Sequence, residues 1–226
     1  MTRSRPFTAA TTAALLALAT APALAQGPDI DKLNGSITAE AGQAYGDLET
    51  VNGSIRIETG ATLEDAETVN GSIKADDRIQ ADSLATVNGS IRVGADARIA
   101  GDVETVNGSV FIDRGGQLHA VSTVNGAIGL VDSDLSGGIE TVHGDITVGA
   151  GSHVRGGILV EKPTGNHWFS TGKRKPPRII VGPDARVEGP LVFEHDVKLY
   201  VHRTATVGTI RGATAVRYDG DRAPAD

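Results

Sequence analysis

The chain has 226 residues, of which 29 are glycine, only 4% are aromatic and none is cysteine. Without cysteine it can form neither a disulfide framework nor a thiolate metal site. Its 28 acidic residues outnumber its 21 basic residues, which argues against general nucleic-acid binding because that function requires a basic surface.

Residues 1–25 have the pattern of a secretory signal peptide. Arg3 and Arg5 precede an apolar run over residues 13–19, and Ala23-Leu24-Ala25 fits a cleavage site. We predict a mature chain that begins at Gln26 and is exported to the periplasm, the cell envelope or the extracellular space. The apolar run is too short to span a bilayer, so we predict no transmembrane segment in the mature chain.

An Asn-Gly pair recurs along most of the remaining sequence. The intervals between successive pairs are 18 residues, with a single interval of 19, and His143-Gly144 takes the next place. A fixed period of this length indicates stacked repeats that bury their apolar sides against one another. The Asn residues of these pairs are Asn34, Asn52, Asn70, Asn88, Asn107 and Asn125.

Apolar residues recur every six positions within each repeat. One column contains Val51, Ile57, Leu63 and Val69, and a second column, four residues later, begins at Ile55. This spacing does not keep one face of an α-helix apolar. It predicts an all-β protein, a single-stranded parallel β-helix (β-solenoid) with triangular coils of about 18 residues. The solenoid domain is predicted over residues 26–218.

The register of the middle coils follows from the same columns. Val87 and Ile91 are predicted to point inward and Arg92 outward. The threonine before each valine is predicted to face water, as for Thr86. Each Asn-Gly is predicted to form a tight bend with positive φ, and stacked Asn side chains are expected to bond as a structural ladder. The Asn-Gly-Ser triplets also match the N-glycosylation sequon, but the bend explains them fully.

The repeat continues beyond an interruption. Residues 179–191 repeat the pattern of residues 91–103, so both belong to one solenoid. Residues 161–178 form a loop insertion between them. The tail, residues 219–226, is polar and predicted to be disordered.

The insertion concentrates the aromatic and basic residues that the repeat lacks. On a solenoid such a loop is often the binding surface. It could bind an envelope glycan, a lipid headgroup or a partner protein; alternatively, Trp168 packs back onto the coil. The candidate binding residues are His167, Trp168, Phe169, Lys173, Arg174 and Lys175.

The stretch IRVGADARIAGDVETVNGSV, residues 91–110, resembles the bactofilins, bacterial polymer-forming proteins with a triangular β-helix. The repeated TVNGSI is similar to bacterial putative-adhesin repeat proteins. These resemblances cover about residues 31–217 and carry no catalytic residues. The bactofilin resemblance implies a right-handed coil and self-assembly. Bactofilins, however, resemble cytoplasmic scaffold proteins, whereas this chain has an export signal.

The six-residue period also resembles that of hexapeptide-repeat enzymes, which include acyltransferases and zinc carbonic anhydrases. Yet the six histidines lack the spacing that would stack them on one column, and no nucleophile or phosphate-binding motif is present. We therefore predict no catalytic residue, no metal and no cofactor.

The leading hypothesis for function is a non-catalytic scaffold, adhesin or self-assembling protein of the bacterial envelope. The alternative is a hexapeptide-type enzyme acting at a subunit interface. Neither end of the solenoid has an obvious capping segment, so we predict end-to-end self-association.

Overall fold

Three parallel sheets run along a common axis in the computed structural model, which describes residues 27–163, 175–220 and 222–225. No helix occurs in these residues. Strands about 18 residues apart in sequence pair side by side in every sheet. The structure thus confirms the predicted all-β solenoid.

The sheets are named A, B and C. Sheet A contains β1 (Ile30–Asn34), β3 (Leu48–Asn52), β5 (Asp65–Asn70), β8 (Ser83–Asn88), β11 (Val103–Asn107), β14 (Val121–Asn125), β17 (Ile139–Thr141), β20 (Ile158–Val160), β23 (Leu191–Phe193) and β26 (Ile210–Arg211). Sheet B contains β2 (Ile37–Ala39), β4 (Ile55–Ile57), β6 (Ile73–Ala75), β9 (Ile91–Val93), β12 (Val110–Ile112), β15 (Ile128–Leu130), β18 (Ile146–Val148), β21 (Arg178–Val181), β24 (Lys198–His202) and β27 (Ala215–Tyr218). Sheet C contains β7 (Gln80–Ala81), β10 (Arg98–Ile99), β13 (Gln117–Leu118), β16 (Asp134–Leu135), β19 (His153–Val154), β22 (Arg186–Val187) and β25 (Thr206–Val207).

Each coil contributes one strand to sheet A and the following strand to sheet B, and we number the ten coils from β1. The register is one coil per step, so that Asn34 pairs with Asn52. The stacking continues across the insertion, where β18 pairs with β21 and Ile146 lies beside Ile179. Residues 179–191 therefore extend the same solenoid, as the sequence predicts.

The core is a column of aliphatic side chains along the axis. From β2 to β24, the first apolar residue of each sheet B strand, such as Ile55 or Ile91, is fully buried, which confirms the second apolar column. Arg92 points to solvent as predicted. Phe193 and Leu199 continue the core in coil 9, and Val207 and Ile210 pack against its end.

The prediction for the threonine and valine before each Asn-Gly is wrong. Thr86 is 4% exposed and Val87 is 40% exposed, and the same holds in the neighbouring coils. The Thr86 hydroxyl donates a hydrogen bond of 2.9 Å to the carbonyl oxygen of Gly71 in the preceding coil. Inside the coil, a valine would leave that carbonyl without this donor, so threonine occupies the inner position and valine the outer one.

The prediction of positive φ at these glycines is also wrong for most coils. Gly35 has φ +112°, but Gly53, Gly71, Gly89 and Gly108 do not have positive φ. A Cβ atom at Gly89 would overlap the carbonyl oxygen of Gly71. Glycine is required here because successive backbones approach too closely for any side chain.

A threonine–valine pair tests the corrected register. Thr86→Val removes the hydroxyl donor to the Gly71 carbonyl and should cost about 1–2 kcal/mol in the free energy of unfolding. Val87→Thr changes an exposed side chain and should stay within about 0.5 kcal/mol. Denaturant unfolding of both variants makes the measurement, and equal losses would contradict the inward threonine.

A second pair of variants distinguishes the cost of a close backbone approach from the cost of a positive φ. Gly89→Ala should cost about 3 kcal/mol or more because the methyl group would force two backbones apart. Gly60 has φ +73° and open space around its Cα, so Gly60→Ala should cost only about 1–2 kcal/mol. If thermal unfolding shows the larger loss at Gly60, the close-approach explanation fails.

Candidate functional site

The edge between sheets A and B carries a ladder of Asn side chains. In each step the Nδ2 atom of one Asn donates to the Oδ1 atom of the Asn one coil before, at 3.0–3.1 Å. An amide can donate and accept at once, so the chain of bonds extends through every coil it reaches. The ladder runs through Asn34, Asn52, Asn70, Asn88, Asn107 and Asn125.

The two described ends of the insertion lie on this same edge. In coil 7, residues 142–145 connect Thr141 of sheet A to Ile146 of sheet B, and in coil 8 residues 161–178 connect the equivalent positions Val160 and Ile179. The Asn ladder therefore ends in coil 6, and coil 7 separates it from the insertion in coil 8. We call the described residues around this point the insertion base: 142–145, 161–162, 175–178 and 194–196.

Most of the predicted binding residues lie outside the described part of the chain. His167, Trp168, Phe169, Lys173 and Arg174 belong to this group. Lys175 is described and exposed, and it borders a cleft of about 390 Å³ that Asp145 and Arg178 also line.

Two histidines from different coils meet at the insertion base. The ring centroids of His143 and His195 are 6.3 Å apart, and His195 Nε2 donates to the carbonyl oxygen of Val142 at 2.9 Å. Coil 8 lies between their coils, so His195 reaches across the place where the insertion leaves the solenoid. Sequence reasoning missed this pair because 52 residues separate the two; aligning coil 9 onto coil 7 would have revealed it.

Carboxylates hold both ends of the insertion. Asp145 accepts a hydrogen bond from the backbone N–H of Arg178 at 2.7 Å, and Glu194 accepts one from the N–H of Lys162 at 3.0 Å. Bonds from backbone N–H groups to carboxylates are charge-assisted and short. The insertion thus starts and ends at fixed points on the solenoid.

The predicted disordered tail makes contacts where it is described. The Asp219 carboxylate pairs with Arg203 at 2.9 Å. The Arg178 guanidinium donates to the carbonyl oxygen of Pro224 and lies 5.0 Å from the centre of the Tyr200 ring. Arg178 therefore joins the end of the insertion to the tail.

Acidic side chains extend from the insertion base onto sheet A. Partial burial raises the pKa of the Glu140 carboxyl, and the charge of Glu161 and a hydrogen bond to it raise this pKa further.

The outer face of sheet A is an open groove of about 680 Å³. One side of it is the valine row, whose exposed members are Leu33, Val51, Val69, Val87, Val106 and Val124. The other is formed by the acidic row, in which Asp31, Glu49, Glu67 and Glu104 line the groove and Glu140 continues the row beyond it. The charge of Asp31, with lesser contributions from burial and from Glu67, raises the pKa of the Glu49 carboxyl. Stacking at one coil per step forces these like charges together.

His153 and His202, which both lie in the described residues, make local contacts. His153 Nε2 lies 2.7 Å from a Glu188 oxygen, and its Nδ1 lies 3.3 Å from Asp134. The His202 ring packs edge-on against Tyr218 with centroids 5.1 Å apart. In the described residues, no three His, Asp or Glu side chains are grouped so as to hold a metal ion. Nor does that part of the chain contain a helix long and apolar enough to cross a membrane.

Comparison with known proteins finds no matching family model, no matching curated protein and no matching solved structure. The function is therefore argued from the repeat and from the geometry of this chain. Two surfaces carry that argument, namely the insertion base and the outer face of sheet A.

The raised pKa of Glu49 predicts that neutralising this carboxyl stabilises the folded protein, and that the stabilisation depends on pH. Repulsion raises the pKa of the folded state, so the native state is most favoured when this carboxyl is protonated and loses stability as pH rises through that pKa. Glu49→Gln should therefore raise the thermal midpoint at pH 7 and leave it unchanged near pH 3. High salt should shrink the gain because the carboxyl is exposed.

The matched control is Glu104→Gln. Glu104 lies in the same row, but its neighbours in register are Ala85 and Ser122, which carry no charge. The control should produce a smaller change at pH 7. Equal gains from the two variants would show that stacked charge is not the cause.

Proposed function

We propose that this protein is a non-catalytic structural component of the bacterial cell envelope, acting as a scaffold or adhesin that self-assembles. One observation supports the proposal above all. The recurring Thr, Asn and Ser residues all bond to a neighbouring coil. The Thr hydroxyl donates to a glycine carbonyl, the Asn amide donates to the Asn of the coil before, and the Ser54 hydroxyl oxygen accepts from the backbone N–H of Ser72. The repeated chemistry stabilises the rod and leaves the outer faces for contacts.

The location follows from the N-terminal pattern. A basic start, an apolar run and Ala23-Leu24-Ala25 together direct a chain to export. The family we propose is that of bactofilin-like or TVNGSI-repeat solenoids.

The coil ends offer a route to self-association. In the described part of the chain, β1 and β2 pair with one neighbour only, and so do β26 and β27. A strand with one free edge is a template for another strand. At the C-terminal end, Arg217 donates to the carbonyl oxygen of His202 at 3.2 Å, which ties β27 to the coil before it. Such a fixed terminal strand favours docking by addition of a further coil.

The insertion is the proposed contact for other envelope components. Its two described ends are held by Asp145 and Glu194 on one edge of the solenoid, and its sequence contains basic and aromatic residues. Lys and Arg beside aromatic side chains suit an anionic glycan, a lipid headgroup or an acidic protein surface.

The export part of the proposal predicts a processed chain. The protein isolated from its native host should be found in the envelope fraction or the medium, with an intact mass that corresponds to a start at Gln26. Replacing Ala23 and Ala25 with bulky residues should block the processing because the cleavage site requires small side chains. Recovery of the unprocessed chain from the cytoplasm would overturn the proposed location.

A further inference from the structure

The acidic row of sheet A follows the axis of the solenoid. Its members occupy the same position in their coils, directly before the buried threonine of the strand where one is present, so they all point outward. Asp31, Glu49 and Glu67 stand in three consecutive coils, and Ala85 takes the fourth place. The charge is therefore concentrated at the N-terminal end of this face.

The outer face of sheet B carries the opposite charge at nearly the same height. Arg56, Lys74 and Arg92 occupy the middle of β4, β6 and β9, in coils 2, 3 and 4. We call them the basic row. Their side chains remain accessible, with Arg56 48% exposed and Lys74 53% exposed. Both also pair with Asp76, at 2.8 and 3.6 Å, but surface pairs of this kind contribute only about 0–1 kcal/mol and can exchange partners.

The two rows have the same spacing because they belong to the same coils. Parallel strands repeat about every 4.8 Å, so a row on one copy matches a row on a parallel copy at every step. If the second copy is offset by one coil, each basic side chain faces an acidic one. The facing pairs are Arg56 with Asp31, Lys74 with Glu49, and Arg92 with Glu67.

The breaks in the two rows coincide at the same offset. Phe111 follows Arg92 on sheet B, and it would face Ala85, the first uncharged position of the acidic row. Without the offset, Arg92 would face Ala85 and Phe111 would face Glu104. The one-coil offset is therefore the arrangement that pairs charge with charge and places the aromatic ring on a small residue.

The far ends of the two faces match as well. Near this end of sheet A, Leu159 and Val192 face Tyr200 and Val216 of sheet B with the offset, and Arg211, the last position of the sheet A row, extends past sheet B. Two positions along the length do not match, where Gly129 faces Glu104 and Ile180 faces Glu140. Charge pairing at one end and apolar contact at the other would fix both the direction and the offset of the neighbour.

We propose that copies of this chain associate side by side and in parallel, with sheet A of one copy against sheet B of the next and an offset of one coil. This inference rests on the proposed self-assembling role and specifies its surface. The contact joins two different faces, so each copy keeps a free sheet A or sheet B for a further copy. The axial offset prevents closure into a ring, and the product is an open helical assembly.

Charge reversal of the full chain tests the surface. Lys74→Glu places like charges opposite Glu49 and should weaken self-association tenfold or more at low salt, measured by sedimentation velocity over a concentration series. The matched control is Arg98→Glu, which makes the same charge change on the exposed face of sheet C. The control should associate like the parent chain, and far-UV circular dichroism checks that each variant is folded.

Compensating reversals test the offset. Lys74→Glu combined with Glu49→Lys restores opposite charges at every proposed contact and should recover the association of the parent chain. Lys74→Glu combined with Glu67→Lys compensates only for copies aligned without an offset and should not. Recovery in this second double variant alone would overturn the one-coil offset.

Other outcomes separate this inference from the broader proposal. If the parent chain associates but no reversal changes the association, the coil ends mediate it and the side-by-side contact is refuted, while self-assembly stands. A parent chain that stays monomeric at all concentrations refutes the contact and self-assembly together. The export experiment is independent of both results.

Discussion

The axial stacking of equivalent residues is the constraint on which this structure depends. Parallel coils lie about 4.8 Å apart, so each side chain has its own counterpart from the next coil as its nearest neighbour. Side chains that can hydrogen-bond to an identical side chain are favoured at such positions, as the Asn amides show. Residues without a side chain permit the closest backbone approach, as at Gly89. Carboxylates repel their counterparts, and the raised pKa of Glu49 is the result.

The overall architecture could be predicted from the sequence because its signal is periodic. The interval between Asn-Gly pairs gave the coil length, and the Ile55 column gave one buried position correctly. The orientation of Thr86 and Val87 could not be obtained in this way. Both are β-branched and similar in size, so hydrophobic period alone favoured the valine for the interior. The deciding factor is the Gly71 carbonyl, whose position relative to Thr86 exists only once the coils are stacked.

The candidate site was predictable only in part. A break in a strict period located the insertion, and its composition indicated a binding role. The residues that anchor it, Asp145, Glu194 and the His143–His195 pair, come from flanking coils and have no common motif. Their proximity depends on coils 7 and 9 lying on either side of the insertion. The match between the two charged faces has the same origin, since it arises from rows that are dispersed in the sequence.

Nearly interchangeable coils also create a problem during folding. Coils 2 and 3 contain ETVNGSI in both cases, so a chain that skips one coil while stacking can still form most of the Asn, Thr and Ser bonds. Only features that occur once can distinguish the correct partner. The bond from His195 to Val142 joins coils that are not neighbours, so it forms only when coil 8 is in place. The irregular C-terminal region therefore contains a contact that forms only when the coils are in the correct order. The nearly identical coils of the N-terminal region cannot distinguish the correct order in this way.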